Sequence, residues 1–225
     1  MKNVTLILLF FAAMGNSKAA TTYLDLTCII EGYHIGNGQM TPAAVIGGCA
    51  WATPNLVDRV QIYLRKSNYP YDIVATSIGN LYIDGKTNLI PISNLKLETG
   101  AYYIVVKNTR NALETWSAQP VLFTIGATTV YDFTKDPASA YGSNMKKVGG
   151  VNANYPLGIW AFFSGDVTGT NGCIDEADKA VMEYGVSHFL FGCVRSDLNG
   201  DGNVDLLDMA IFEPNFNAMV CVKRP

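Results

Sequence analysis

The chain has 225 residues, 49% of them hydrophobic and 16% charged, which is apolar enough for a real core and excludes a disordered chain. Its 16 Lys and Arg against 19 Asp and Glu leave a formal net charge of −3, so it carries no basic footprint for nucleic acid. With 21 Gly, 9 Pro, 12 Tyr and 10 Phe it is rich in turns and aromatic rings, a composition that fits many short strands better than long helices.

The first residues read as an address. Lys2 precedes an apolar run from Val4 to Met14, and Gly15, Asn16, Ser17, Lys18 and Ala19 follow with small residues placed for a cut after Ala19, so residues 1–19 are expected to be a secretory signal peptide. The run is about half the roughly 20 residues that span a bilayer, and no later segment is both long and uncharged enough for an anchor. An exported product without a transmembrane helix is expected. Cys28, Cys49, Cys173, Cys193 and Cys221 lie beyond this segment. Export permits disulfides, and the odd count leaves a thiol unpaired or shared with another chain. The cysteines fit no zinc knuckle; they serve packing or form one bridge in each half, Cys28 with Cys49 and Cys173 with Cys193. His34 and His188 stand near no partner at ligand spacing and are expected to be structural or solvated.

Residues 20–133 carry strand patterns divided by turn residues. Tyr23 to Ile30 alternates loosely, Val57 to Arg65 sets Val60, Ile62 and Leu64 against Arg59, Gln61 and Tyr63, and Ile73 to Ile83 carries Val74, Ile78, Leu81 and Ile83. Asp84-Gly85 is a tight-turn signal. Leu89 to Leu95 includes an edge-type Pro91, Tyr102 to Lys107 is β-branched and aromatic, and Val121 to Ile125 and Thr128 to Phe133 flank Gly126. About seven short strands in some 110 residues predict an immunoglobulin-like or fibronectin-like antiparallel β-sandwich, with a barrel as the main alternative.

Residues 134–163 turn to Ala, Gly, Ser and Asn with isolated Tyr141, Tyr155 and Trp160, the texture of a linker or strap. From residue 164 onward two Asp-rich loops appear, each followed by helical spacing: Ala177, Ala180, Val181 and Tyr184 after the first, Leu207, Ala210 and Ile211 after the second. The fold class expected is therefore mainly β with a small α C-terminal part.

The second loop is the sharpest motif. Asp197, Asn199, Asp201, Asp205 and Asp208 occupy positions 1, 3, 5, 9 and 12 of a twelve-residue loop, with Gly202 at position 6. A hard cation such as Ca²⁺ takes six to eight oxygens, which this spacing wraps around one centre, and the glycine permits the sharp turn. Asn203 at position 7 offers a backbone carbonyl, and Val204 at position 8 points inward and can pair with the partner loop. The first loop is a weaker copy. Asp166 stands at position 1, Thr168 at 3, Thr170 or Asn171 at 5, Gly172 at 6, Ile174 at 8, Asp175 at 9 and Asp178 at 12, with one residue inserted before Gly172. Fewer charges predict weaker calcium binding there.

Paired loops with Asp at position 12 and one helix after each resemble a dockerin type I module. Residues 100–117 and 141–146 resemble the sandwich and strap that precede such tails in secreted bacterial proteins. The resemblance implies a calcium-stabilised docking module with an extracellular, cohesin-like protein partner, often within a polysaccharide-degrading assembly. It also implies that loop positions 10 and 11 contribute to partner choice. These are Glu176-Ala177 and Leu206-Leu207, two chemically unlike pairs. If exposed, Leu206 and Leu207 form an apolar contact patch; if buried, they are core.

Catalytic constellations are thin. No G-x-S-x-G turn surrounds a serine, and the sandwich acids Glu31, Asp58, Asp72, Asp84, Glu98 and Glu114 are scattered among turns and strand ends. The chain is expected not to be an enzyme. A second non-catalytic reading is a carbohydrate-binding sandwich that uses Trp51, Trp116 and tyrosines as stacking faces, with the calcium loops serving stability alone.

Overall fold

The computed structural model describes residues 21–92 and 97–225. The expected signal peptide and the end of the Leu89 to Leu95 strand lie outside the described residues. In chain order the elements are β1 (Thr22–Thr27), β2 (His34–Gly36), β3 (Gln39–Met40), α1 (Ala43–Ile46), β4 (Leu56–Lys66), β5 (Ile73–Tyr82), β6 (Ile90–Ile92) and β7 (Gly100–Asn108). There follow β8 (Thr115–Trp116), β9 (Val121–Phe123), β10 (Thr128–Asp132), β11 (Lys146–Gly149), β12 (Ile159–Ala161), α2 (Glu176–Ser187) and α3 (Leu206–Asn217). The chain is mainly β, with two full helices near its C-terminus.

Strand β4 organises the larger sheet, ordered β5-β4-β7-β8, with β9 also paired to β7. It is bonded along its length on both sides, opposite β5 from Leu56 to Arg65 and opposite β7 from Val60 to Lys66. Because side chains alternate across a strand, Val60, Ile62 and Leu64 point to the core, joined by Ile104 and Val106 of β7. The smaller sheet, β10-β1-β6, supplies Leu24, Leu26, Ile90 and Ile92 to the same core. A fully antiparallel arrangement was expected, but β1 and β10 run parallel, Leu24 opposite Thr129. The cause is the turn at Gly126, whose N–H donates to Thr22 Oγ1 while Tyr23 N–H donates to Ala127 O. That turn delivers the chain to the beginning of β1, so β10 runs alongside it in the same direction.

Residues 134–163 pack onto the core, to which they contribute Ala140, Met145, Ile159, Ala161 and Phe162. Phe162 N–H donates to Ile29 O, just after β1, and pins the segment to the body, while Trp160 N–H donates to Thr134 O and ties the segment's end to its own start.

The C-terminal unit has a second small core of Val167, Ile174, Met182, Leu198 and Phe212, completed by Leu113 from the β7–β8 connection. Both helices form where the spacing predicts them, but the apolar stripe read from the sequence does not face inward. The positions buried are Asp178, Met182 and Gly185 on α2 and Asp208, Phe212 and Asn215 on α3, while Ala177, Ala180, Val181, Tyr184, Leu207 and Ala210 are exposed and Ile211 is half-buried. Each helix is phased by an inward aspartate that accepts N–H groups from its own loop, and one large apolar side chain a turn later follows that phase.

The loops do not pair with one another either. Val204 N–H donates to Leu190 O, beyond the first helix, and Ile174 N–H donates to Val220 O, beyond the second. Each unit's post-helix segment thus closes the other unit's loop. The two exits match: Phe189 and Met219 both take positive φ, 50° and 49°, and both are exposed.

The disulfides are Cys49–Cys193 and Cys173–Cys221, with Cys28 free and buried. This overturns the expected pairs. The C-terminal unit folds back onto α1, which brings Cys193 to Cys49, and the reciprocal pairing of Cys173 with Cys221 places those two side by side. Cys28 stays in the main core, where burial raises its thiol well above its ordinary range.

Candidate metal loops and docking surface

The second loop lies against the β-sheet body. Gly200 has φ of +76°, and a Cβ there would fall 2.5 Å from Ala43 Cβ and 3.0 Å from the Tyr33 ring. Only glycine satisfies both the backbone and the space. Asp197, Leu198 and Asp208 are fully buried. Asn111 Nδ2 donates to Asp197 O and to the Tyr33 hydroxyl, both at 3.0 Å, tying the first position of the loop to the body.

Within this loop Asp197 Oδ1 accepts Gly200 N–H at 2.8 Å and Oδ2 accepts Gly202 N–H at 3.2 Å. Asp208 Oδ1 accepts the N–H groups of Leu198 and Asn199, at 2.7 and 3.0 Å, and its Oδ2 accepts Asp205 N–H at 2.9 Å. Asp205 caps α3 by accepting Leu207 N–H, completing a capping box. Asn199 Nδ2 donates to Asp201 Oδ2, and Asp201 Oδ1 accepts Asn203 N–H. Asp201, Asn203 and Asp205 face outward.

The first loop repeats this with substitutions. Asp178 Oδ1 accepts both Thr168 N–H and Thr168 Oγ1–H at 2.8 Å, and Oδ2 accepts Asp175 N–H at 3.0 Å. Asp166 Oδ1 accepts Gly169 N–H at 2.8 Å, Asn171 Nδ2 donates to Asp175 Oδ2, and Asp175 caps α2 through Ala177 N–H. Thr170 Oγ1 lies 3.2 Å from Thr168 Oγ1. The two loops keep step through Gly169, which matches Gly200, so the inserted residue falls between Gly169 and Gly172; the Gly169 carbonyl accepts from Lys107 Nζ at 2.9 Å. Arg195 donates to Thr168 O at 3.2 Å.

Charge is unbalanced in both loops. Burial first, opposed by Arg110 and reinforced by Asp208, pushes Asp197 up to about 6; burial and then the neighbouring Asp178 push Asp166 up to about 6. Asp208 is likewise raised, chiefly by burial. Among the described residues no three His, Cys, Asp or Glu side chains converge as a metal cage. In each loop, however, the position-1 and position-12 aspartates are near enough to interact, both are buried, and the candidate ligands within the loop are oxygen atoms of carboxylate, hydroxyl, amide or backbone groups, with Arg110 the cation already beside Asp197. This donor set suits a hard divalent cation by its chemistry. Asp197, Asp201 and Asp208, with Asn199 and the Asn203 carbonyl, would hold it in the second loop.

The body contributes Arg110 and Asp58, which sequence reasoning did not single out. Arg110 lies in the turn after β7, where Asn108 Oδ1 accepts the N–H groups of Arg110, Asn111 and Ala112. Its Nη2 reaches Val194 O at 2.8 Å and Asp197 Oδ2 at 3.5 Å. An Asn-Thr-Arg-Asn turn has no motif that would have announced this contact.

Glu176, Ala177, Leu206 and Leu207, at loop positions 10 and 11, are all exposed. Leu206 and Leu207 are 74% and 62% exposed, and Phe189 and Phe191 are 84% and 78% exposed. These four flank one end of the helix pair, since the Phe191 segment pairs with Asn203 just before α3. Glu176 and Ala177 open the other helix at the opposite end, beside a groove of about 510 Å³ lined by Ile174, Glu176, Phe216 and Met219. Of the candidate stacking rings, Trp116 is buried and Trp51 half-buried, whereas Tyr69 is 83% exposed. Trp116 is 3% exposed, packed among Tyr71, Tyr103 and the Arg65 guanidinium, and Arg59 lies 4.7 Å over Trp51. His34 is part-buried, with its pKa lowered by that burial, and His188 stacks on Tyr184.

No family model, curated protein or solved structure matches this chain. Among the described residues no helix is long and apolar enough to cross a membrane.

Proposed function

We propose that this chain is a secreted, non-catalytic interaction protein. Its C-terminal loop-helix pair binds calcium in the manner of a dockerin and presents an exposed helix end to an extracellular protein partner of the cohesin-like kind. The observation that carries this reading is the reciprocal closure of the two loops: each helix exit hydrogen-bonds the other loop, so two fixed loops hold two helices as one rigid platform. Both disulfides are compatible with export. Calcium would act as a constitutive staple, contributing RT ln(1 + [Ca]/Kd), about 2.7 kcal/mol at a hundred times Kd. The outward Leu206, Leu207, Phe189 and Phe191 form an apolar patch of the kind that marks an interface.

Calcium calorimetry on the mature chain after chelation tests the first half of the reading. Two sites are expected, with the tighter lost in Asp197→Ala and the weaker in Asp166→Ala; absence of any calcium-dependent heat would end the metal reading. For the second half, an immobilised cohesin-type domain should retain the wild-type chain and lose it on Leu206→Asp/Leu207→Asp, while calcium binding is unchanged. No retention of the wild type would remove the cohesin-like partner.

A further inference from the structure

Arg110 is held between two buried carboxylates but bonded only at Nη2, which donates to Val194 O at 2.8 Å and makes a long contact to Asp197. Its side chain is 5% exposed, and those of Asp58 and Asp197 are 0% exposed. Toward the loop, Nη2 lies 3.5 Å from Asp197 Oδ2; toward β4, Nε lies 4.0 Å from Asp58 Oδ2. Arg110 Nε and Nη1 and Asp58 Oδ2 are all buried without a hydrogen-bond partner. Such groups carry a real cost in a folded interior, and here a donor and an acceptor face each other just out of reach. Asp58 Oδ1, by contrast, is engaged: it accepts Arg59 N–H at 2.7 Å and the Thr109 hydroxyl at 3.3 Å.

We propose that Arg110 is the positioning residue of the second loop, shared between Asp197 and Asp58, and that it moves toward Asp58 when the loop takes up a divalent cation. The inference rests on the calcium reading above. The guanidinium lies beside Asp197 and offsets that carboxylate's repulsion from Asp208. A divalent ion at Asp197 repels the guanidinium, an interaction strengthened by burial. The backbone of Arg110 is clamped by Asn108, and that of Asp197 by Asn111, so the side chain swings while both backbones stay, with Nη2 keeping its bond to Val194 O. A shift of about 1 Å brings Nε–H within bonding distance of Asp58 Oδ2 and satisfies two of the three orphaned atoms. Loop occupancy is thereby reported to the central strand of the β-sheet body.

The experiment is calcium titration of the full mature chain, labelled with ¹⁵N, following the Arg110 Nε–H and Gly202 amide resonances; Arg110→Lys assigns the former by its loss. In the wild type the Nε–H resonance should move downfield in step with Gly202 and become protected from exchange. In Asp58→Asn that response should vanish and the calcium Kd should rise several-fold. A moving Gly202 with a static Arg110 Nε–H, or a wild-type Kd in Asp58→Asn, would overturn the proposal while leaving calcium binding intact. A static Gly202 would instead mean that the loop takes no calcium, ending both. Should Asp58→Asn fail to fold, Arg110→Lys serves in its place: it keeps the charge but lacks the Nε–H, and a wild-type Kd in it would equally overturn the proposal.

Discussion

Asp197 and Asp166 keep their carboxyl groups in places that disfavour charge, and this makes the loops sensitive to acid in an unusual direction. Both are raised to about 6 in the folded chain, above the ordinary unfolded value of about 3.9. The folded state therefore binds protons more tightly than the unfolded one. Without calcium, the stability these two groups contribute is fully present below about pH 4 and is lost as pH rises through about 6. The difference is on the order of 2 kcal/mol for each. Urea unfolding in calcium-free buffer should therefore show the gap between wild type and Asp166→Asn/Asp197→Asn changing by a few kcal/mol between pH 4.5 and 7, with the wild type losing ground at the higher pH. Saturating calcium should reverse the slope, because the metal needs both carboxylates ionised. A gap that is flat with pH would show that the loops do not hold these groups as described. The metal-ligand spacing is legible because it is local in sequence. Arg110, Asp58 and Asn111, which act on the same loop, are not, because each sits in an ordinary strand-end or turn context and gains its role only when distant segments meet.

At the scale of elements, the strands follow from alternation and turn residues, and β4 illustrates why: a strand paired on both sides and buried on one face must alternate. The parallel partner of β1 leaves no such mark, since pattern does not encode direction. The helices are legible in position but not in facing. Small apolar residues such as Ala177 and Ala180 fit an outward face as readily as an inward one, whereas Asp178 and Asp208, polar by composition, are the residues that point in. This separates two kinds of aspartate on neighbouring positions. Asp205 caps α3 through one exposed N–H, so Asp205→Ala in calcium-free buffer should cost about 1 kcal/mol. Asp208 accepts three N–H groups, two of them from the loop, so Asp208→Ala should cost about 3 kcal/mol, since it leaves buried donors unpaired. Comparable losses by urea titration would mean that the inward phase of the helix does not depend on Asp208.

The molecule as a whole is held by contacts between segments far apart in sequence, which is why neither the disulfides nor the seat of the second loop could be read from spacing. Cys49–Cys193 joins the end of α1 to the chain just before the second loop, across a sequence separation of 144. It works beside a polar seam in which Glu31 accepts Asn215 Nδ2 at 2.6 Å and pairs with Lys146 Nζ at 3.4 Å, and Asn215 Nδ2 also reaches Ser164 O. Cys173–Cys221, at a separation of 48, stays inside the C-terminal unit and closes the first loop. The two bridges should therefore fail differently. Closing a loop of the longer span limits the unfolded chain by about 5 kcal/mol in the chain-entropy account, and the shorter by about 4 kcal/mol. Cys49→Ser/Cys193→Ser should lower global stability by up to that amount and also let the C-terminal unit leave its seat. Unfolding would then separate into two transitions, the first abolished by calcium if the second loop is the staple. Cys173→Ser/Cys221→Ser should lower stability while keeping one transition, because the seam and the Cys49 bridge still join the two parts. If the first variant unfolds in a single step with an unchanged midpoint, the bridge only decorates a seat that the polar seam and the buried face of the second loop already secure.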